Sequence, residues 1–145
     1  MEADNRANLV MKFGGTSVGS SEALAQVVSI IKSTREKWPR LVVVISALSG
    51  VTDILLGSAA RAERGELANI DEAYSQLLDR HAQIADALVR RCDLREQVMA
   101  EISTLVEGFS NLCKAITVLG EATPRALDAV ASLGERMSVR LLAAA

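Results

Sequence analysis

The sequence predicts an α/β fold in which a mainly parallel sheet is flanked by helices. Three observations carry that expectation. Two short apolar runs each end in glycine or small polar residues, a helical repeat lies between them, and helical periodicity without further strand signal fills the chain after Gly50. At 145 residues the chain suits one domain or a piece of a larger one.

Residues 8–13 are extended and apolar and stop at Gly14-Gly15, a pair that interrupts either regular structure. Ser20 or Ser21 then offers a cap, and Leu24, Val27, Val28 and Ile31 follow at helical spacing until Trp38-Pro39, so a helix is expected over 21–37. Leu41-Val42-Val43-Val44-Ile45 is apolar on both faces, as in a strand covered by helices on each side. Strand, helix and strand in that order predict a right-handed parallel β-α-β unit over residues 8–48.

Residues 50–145 read as helical. Leu67, Ile70, Tyr74, Leu77, His81, Ile84 and Leu88 form one stripe, and Leu94, Val98, Ile102, Leu105, Phe109, Leu112 and Ile116 form another, giving a long helical hairpin. Arg64-Gly65 separates the first of these from the helix before it, Asp93 is the expected cap of the second, and Gly120 ends it. Thr123-Pro124 opens a last helix through Leu127, Val130, Met137 and Leu141. Two strands are too few for a stable sheet. The expectation is therefore an N-terminal part of a longer protein, with some apolar faces lacking their natural cover and prone to association or loose packing.

Composition narrows the function classes. Lys plus Arg number 16 and Asp plus Glu 18, a net charge of −2, which gives no electrostatic footprint for nucleic acid or an anionic membrane. Aromatic residues are 3% of the chain, too few for a base-stacking surface, so the core is aliphatic. The longest uninterrupted apolar run, residues 41–45, is far shorter than the ~20 residues of a membrane span. Residues 1–6 are polar and unlike a signal peptide, and Cys92 and Cys113 have no metal-ligand spacing. A cytoplasmic protein with free, packed thiols is expected. His81, the one histidine, lies on an apolar stripe and reads as packed rather than catalytic. The series Arg61, Glu63, Arg64 and Glu66 reads as a solvated helix end.

The chemistry-bearing residues cluster at strand ends. Lys12-Phe13-Gly14-Gly15-Thr16-Ser17 sits at a strand-to-helix junction, where backbone amides and a helix N-terminus suit phosphate. The segment fits neither the Walker A order nor G-x-G-x-x-G. Lys12, the one charge in its strand, either projects toward the glycine pair, where an ammonium would neutralise a transferring phosphoryl group, or snorkels to water. Residues 46–53 leave the second strand at the same carboxyl edge, where ligands bind in parallel α/β sheets. Taken alone that loop also reads as a turn with Ser49 or Thr52 capping the next helix. Ser132 and Glu135 have capping-box spacing, and Gly134 weakens a continuous helix, so a restart or kink accounts for Glu135 as well as contact with an ammonium does.

These residues resemble the aspartokinases. Lys12-Phe13-Gly14-Gly15-Thr16-Ser17-Val18 looks like their opening motif, Val43-Val44-Ile45-Ser46-Ala47 with Gly50-Val51-Thr52 like their second, and Leu133-Gly134-Glu135-Arg136-Met137-Ser138 like their third. The resemblance implies an amino-acid-kinase-like fold and ATP-dependent phosphorylation of the side-chain carboxylate of L-aspartate, with Mg2+ accompanying ATP. It further implies Lys12 as the phosphoryl-stabilising cation, Gly14, Gly15 and Ser17 at the ATP phosphates, and Ser46, Thr52 and Glu135 around aspartate, Glu135 through the ammonium. The nucleotide-binding half and regulatory domains of such enzymes are absent from these 145 residues. The chain alone is expected to be inactive, and its parent to be homo-oligomeric. The competing readings are a noncatalytic module that binds a partner through the helical hairpin, and a kinase of the same fold with another acceptor.

Overall fold

A computed structural model describes residues 8–145; residues 1–6 discussed above lie outside it, as does the side chain of Leu67. Strand β1 (Leu9–Phe13) pairs in parallel with β2 (Leu41–Ile45), Lys12 opposite Val44 and Phe13 opposite Ile45. Helix α1 (Ser21–Arg35) makes the crossover. Ser20 caps it, its Oγ accepting from the Ala23 amide at 3.2 Å. The helix ends two residues before the expected Lys37, because the Lys37 and Trp38 amides both turn back to the Thr34 carbonyl ahead of Pro39.

Four helices follow: α2 (Val51–Glu63), α3 (Ile70–Leu88), α4 (Cys92–Leu119) and α5 (Pro124–Ala144). α3 and α4 form the expected hairpin and pack against α2 and α5. Ile70, Leu77, His81 and Ile84 are buried on α3, and Val98, Ile102, Leu105, Phe109 and Ile116 on α4. Gly65 and Gly120 take the left-handed conformation that ends a helix (φ 80° and 67°). Thr123 caps α5 by accepting from the Ala126 amide at 3.2 Å, with Pro124 in the first turn.

Four local expectations are corrected. β2 is covered on one face only: Val42 and Val44 are 53% and 44% exposed, and Val10 opposite Val42 is 62% exposed, since α1 to α5 offer no layer on that side. Asp93 does not cap α4; its carboxylate is taken by Arg91, with an Nη2–Oδ2 distance of 2.6 Å. Cys92 is exposed, not packed, because it lies in the first turn of α4 outside the buried stripe. Glu63 is not merely solvated: its Oε1 accepts from the Ala122 amide at 3.0 Å and ties the end of α2 to the α4–α5 connection.

α4 is, by length and composition alone, long and apolar enough to cross a membrane. That qualifies the exclusion drawn from the longest apolar run. Its stripe from Val98 to Ile116 is packed against the neighbouring helices.

Candidate functional site at the carboxyl ends of the strands

In a parallel pair both strands deliver their C-terminal loops to one edge. The ladder runs one step past the strands: the Ser46 amide donates to the Phe13 carbonyl at 3.1 Å, so Ser46 comes opposite the position of Gly14. With a two-residue side-chain repeat, Lys12 shares its face with Val10 and, across the ladder, with Val42 and Val44. That is the uncovered face, and Lys12 is exposed on it.

Beyond Phe13 the chain enters a tight 3-10 turn, Gly15–Val18, closed by the Ser17 amide on the Gly14 carbonyl at 2.9 Å. The Ser17 amide is thus already used within the turn and its side chain is the remaining polar group. Neither Gly14 nor Gly15 has a positive φ, and a Cβ added to either would meet nothing within 4 Å. The space above both is open. At Gly19 the same loop comes close to the other one, and a Cβ added there would lie 3.6 Å from the Ser49 Cβ.

The second loop is held from three sides. Its first residue is bound to β1, as described. Its carbonyl at Ser46 accepts from Ser138 Oγ of α5 at 2.7 Å, a bond linking residues 92 apart in sequence. At Ser49 its carbonyl accepts from Arg80 Nη1 of α3. Gly50 then takes the left-handed conformation (φ 76°) at the N-terminus of α2, with no side-chain cap from Ser49 or Thr52. The capping reading of these two hydroxyls is therefore wrong: the turn is made by Gly50 and by the Val51 amide on the Leu48 carbonyl.

The capping-box reading of Ser132 and Glu135 fails as well. α5 is continuous through both, and Ser132 Oγ bonds the Ala129 carbonyl at 2.8 Å. Gly134 marks no kink. An added Cβ there would lie 2.7 Å from the Ala47 Cβ, 3.4 Å from Val51 and 3.5 Å from Leu55, so glycine is what lets α5 press against the start of α2. Glu135 follows directly. At 3.6 residues per turn it lies about 60° around the helix from Ser138, the residue bonded to Ser46. Its side chain is half-buried.

Lys12, Gly14, Gly15, Ser17, Ser46, Thr52 and Glu135 thus belong to three chain segments that meet at one edge of the fold. Among the described residues no hydrogen bond or ion pair engages the side chains of Lys12, Ser17, Ser46, Thr52 or Glu135. Nor do the described residues contain a cluster of three or more His, Cys, Asp or Glu able to hold a metal. His81 stands apart from this edge. It is fully buried, its Nδ1 lies 2.6 Å from the Leu77 carbonyl, and burial pushes its imidazole toward the neutral form. Burial likewise pushes the Cys113 thiol up to about 11.

Two residues important to this geometry were given no role of their own in the sequence reading. Ser138 had a legible signal, because Gly134 and Ser138 are four apart and so present small side chains on one helix face, a pattern that suits close approach. Arg80 had none: it is an exposed helix residue whose partner lies 31 positions away.

Comparison with known proteins gives a consistent result. The family model described as "Amino acid kinase family" matches residues 8–145. The chain is 35% identical to Aspartokinase 3, chloroplastic, of Arabidopsis thaliana over 99% of its own length and 24% of that protein. It is 34% identical to Aspartokinase 2, chloroplastic, of the same plant, over 93% of the chain and 24% of that protein. Among solved structures it resembles E. coli aspartokinase III in complex with aspartate and ADP (R-state), with TM-score 0.74 and 30% identity over 94% of this chain and 28% of that one. The chain therefore spans about a quarter of the length of these three relatives.

Proposed function

This chain belongs to the amino acid kinase family, and from that premise we propose that its parent protein is an aspartate kinase, forming 4-phospho-L-aspartate from L-aspartate and ATP as the first step of lysine, threonine and methionine biosynthesis. The names of its relatives support the acceptor. The observation that carries the reading is the α5 contact. Gly134 against Ala47, and Ser138 on the Ser46 carbonyl, join the stretch of α5 that carries Glu135 to the loop after β2, which supports a role for Glu135 there.

The chemistry asks little covalent help from the protein. An aspartate carboxylate is ionised at neutral pH; its oxygen forms a bond to the γ-phosphorus while the bond to the departing ADP oxygen breaks, and no proton has to be removed first. This accounts for a site without a histidine base. What is needed is positioning and neutralisation of charge spread over the phosphoryl oxygens, and Lys12 is the cation at the strand end that can supply it. Gly14, Gly15 and Ser17 would line the phosphates, where absent side chains permit close backbone approach. Ser46 and Thr52 would hydrogen-bond aspartate, and Glu135 would pair with its ammonium.

Mg2+ accompanies ATP in this reading. The described residues offer it no ligand cluster, so the phosphates would carry it and no step is assigned to it here. The chain would form the aspartate side of the site, with its β-α-β unit and helical region as one N-terminal portion of the catalytic domain, inactive alone. A homo-oligomeric parent acting in the cytoplasm completes the reading.

The test is Mg-ATP-dependent phosphorylation by the parent protein with aspartate, glutamate, acetylglutamate and uridylate as acceptors, beside Lys12→Met. Turnover confined to aspartate, and at least 100-fold slower without Lys12, is expected. No turnover with any acceptor, or indifference to Lys12→Met in a folded variant, refutes the proposal.

A further inference from the structure

Arg80 occupies a place that helix electrostatics alone would not choose. It projects from α3 to the N-terminus of α2, where the helix dipole is positive and a cation is disfavoured. Its Nη1 lies 3.4 Å from the Cβ that any other residue at Gly50 would carry. The compensation is a charge-assisted hydrogen bond to the Ser49 carbonyl, the one hydrogen bond that any described side chain makes to residues 47–52. Arg80 forms no ion pair among the described residues, although Asp79 adjoins it.

Ser49 is also where the two candidate-site loops come close: a Cβ added at Gly19 would lie 3.6 Å from the Ser49 Cβ. On its proximal side the loop is fixed at Ser46 by β1 and by Ser138. On its distal side it enters α2 through a glycine in the left-handed conformation, the residue type that resists backbone rotation least. Between those points the Val51 amide closes the turn on the Leu48 carbonyl and Ala47 and Leu48 are buried, while Arg80 is the one described side chain that hydrogen-bonds the backbone, at the exposed Ser49.

We infer that Arg80 is a positioning residue: a strut from α3 that fixes the 46–52 loop, and with it the spacing between the Ser46 and Thr52 hydroxyls and the lie of that loop against Gly19. The inference rests on the proposed aspartate site for its kinetic consequence, but not for its structural one. Arg80 touches no reacting atom. It acts through the Ser49 carbonyl, so it sets acceptor binding more than nucleotide binding.

The experiment uses the parent protein with Arg80→Met, which keeps much of the length and removes every donor, and Arg80→Lys, which restores one. Arg80 is exposed, so both substitutions leave the core intact. Arg80→Met is expected to raise the KM for aspartate about tenfold, the scale of one lost charge-assisted bond, with the KM for ATP within about twofold of wild type. Arg80→Lys recovers most of that loss. Amide exchange of residues 46–52 speeds up about tenfold in the Met variant while the amides of β1 and α4 are unmoved. An unchanged aspartate KM, a Lys variant as impaired as Met, or unaltered exchange of 46–52 overturns the inference. If the wild-type protein phosphorylates no acceptor, the functional proposal falls, and the exchange measurement still decides whether Arg80 is the strut.

Discussion

Gly134→Ala tests the contact on which the site reading depends. The added methyl would stand 2.7 Å from the Ala47 Cβ, whereas two carbons are at rest about 3.5–4.0 Å apart, so α5 or the 46–52 loop must yield by about 1 Å. Ala47 is itself only a methyl on a loop pinned by Ser138 and cannot rotate away. Overpacking of this kind costs about 1–3 kcal/mol, against roughly 1 kcal/mol gained because alanine favours a helix interior over glycine. A net loss of about 1 kcal/mol is expected, or roughly 4 °C in melting temperature for a domain of this size.

The same chain carries its own controls. Gly57 in α2 and Gly108 in α4 are also helical glycines, and a Cβ at either meets nothing within 4 Å. Gly57→Ala and Gly108→Ala should therefore each raise the melting temperature by a few degrees, through propensity alone. Thermal unfolding followed by far-ultraviolet circular dichroism on the three variants separates the two effects. Under the proposed function, Gly134→Ala in the parent protein should also raise the aspartate KM at least tenfold, since a shift of about 1 Å in Glu135 is enough to spoil the proposed charge-assisted contact. A Gly134→Ala protein that melts higher than wild type, alongside the two controls, would refute the close-approach argument.

Two further outcomes concern groups away from the site. Burial depresses the His81 pKa in the folded state, so its contribution is whole above the unfolded value of about 6.5 and is lost as pH falls from there toward the lower folded value. Urea unfolding of wild type and His81→Leu at several pH values should give a stability difference that is flat above about pH 7 and shifts in favour of the Leu variant on acidification; parallel curves down to pH 5 contradict it. In native protein, iodoacetamide should label exposed Cys92 and spare Cys113, whose thiol is buried and held up to about 11. Mass spectrometry showing Cys113 labelled at the native rate of Cys92 would mean that the α4 stripe opens far more readily than its packing implies.

The parts of the fold legible in the sequence were those set by local chemistry. Gly65 and Gly120 end helices because only a left-handed residue closes them cheaply, Thr123-Pro124 opens α5, and the apolar periods of α3 and α4 name their buried faces, all properties of neighbours along the chain. Errors arose where a residue had two local uses and the tertiary structure chose between them. Asp93 could cap α4 or pair with Arg91, and the pair prevails; Ser132 could open a helix, but α5 already runs through it and its hydroxyl turns back to Ala129. β2 looked covered on both sides because its composition suits that, whereas nothing in this stretch of chain supplies the second layer.

The candidate site divides the same way. Lys12, Gly14, Gly15 and Ser46 could be placed together from strand order alone, since parallel strands leave no freedom about which edge their loops share. Glu135 could not. Its placement depends on the absence of a side chain at Gly134 and on a hydroxyl at Ser138, two features that read in one dimension as a weak helix and an ordinary polar residue. Arg80 is further still from local inference, because the carbonyl it holds belongs to a loop whose shape follows from Gly50. The ordering has a physical cause. Local rules fix where the backbone turns, but which distant segments meet is fixed by how closely two surfaces can approach, and at this edge the limit is a single methyl group between α5 and Ala47.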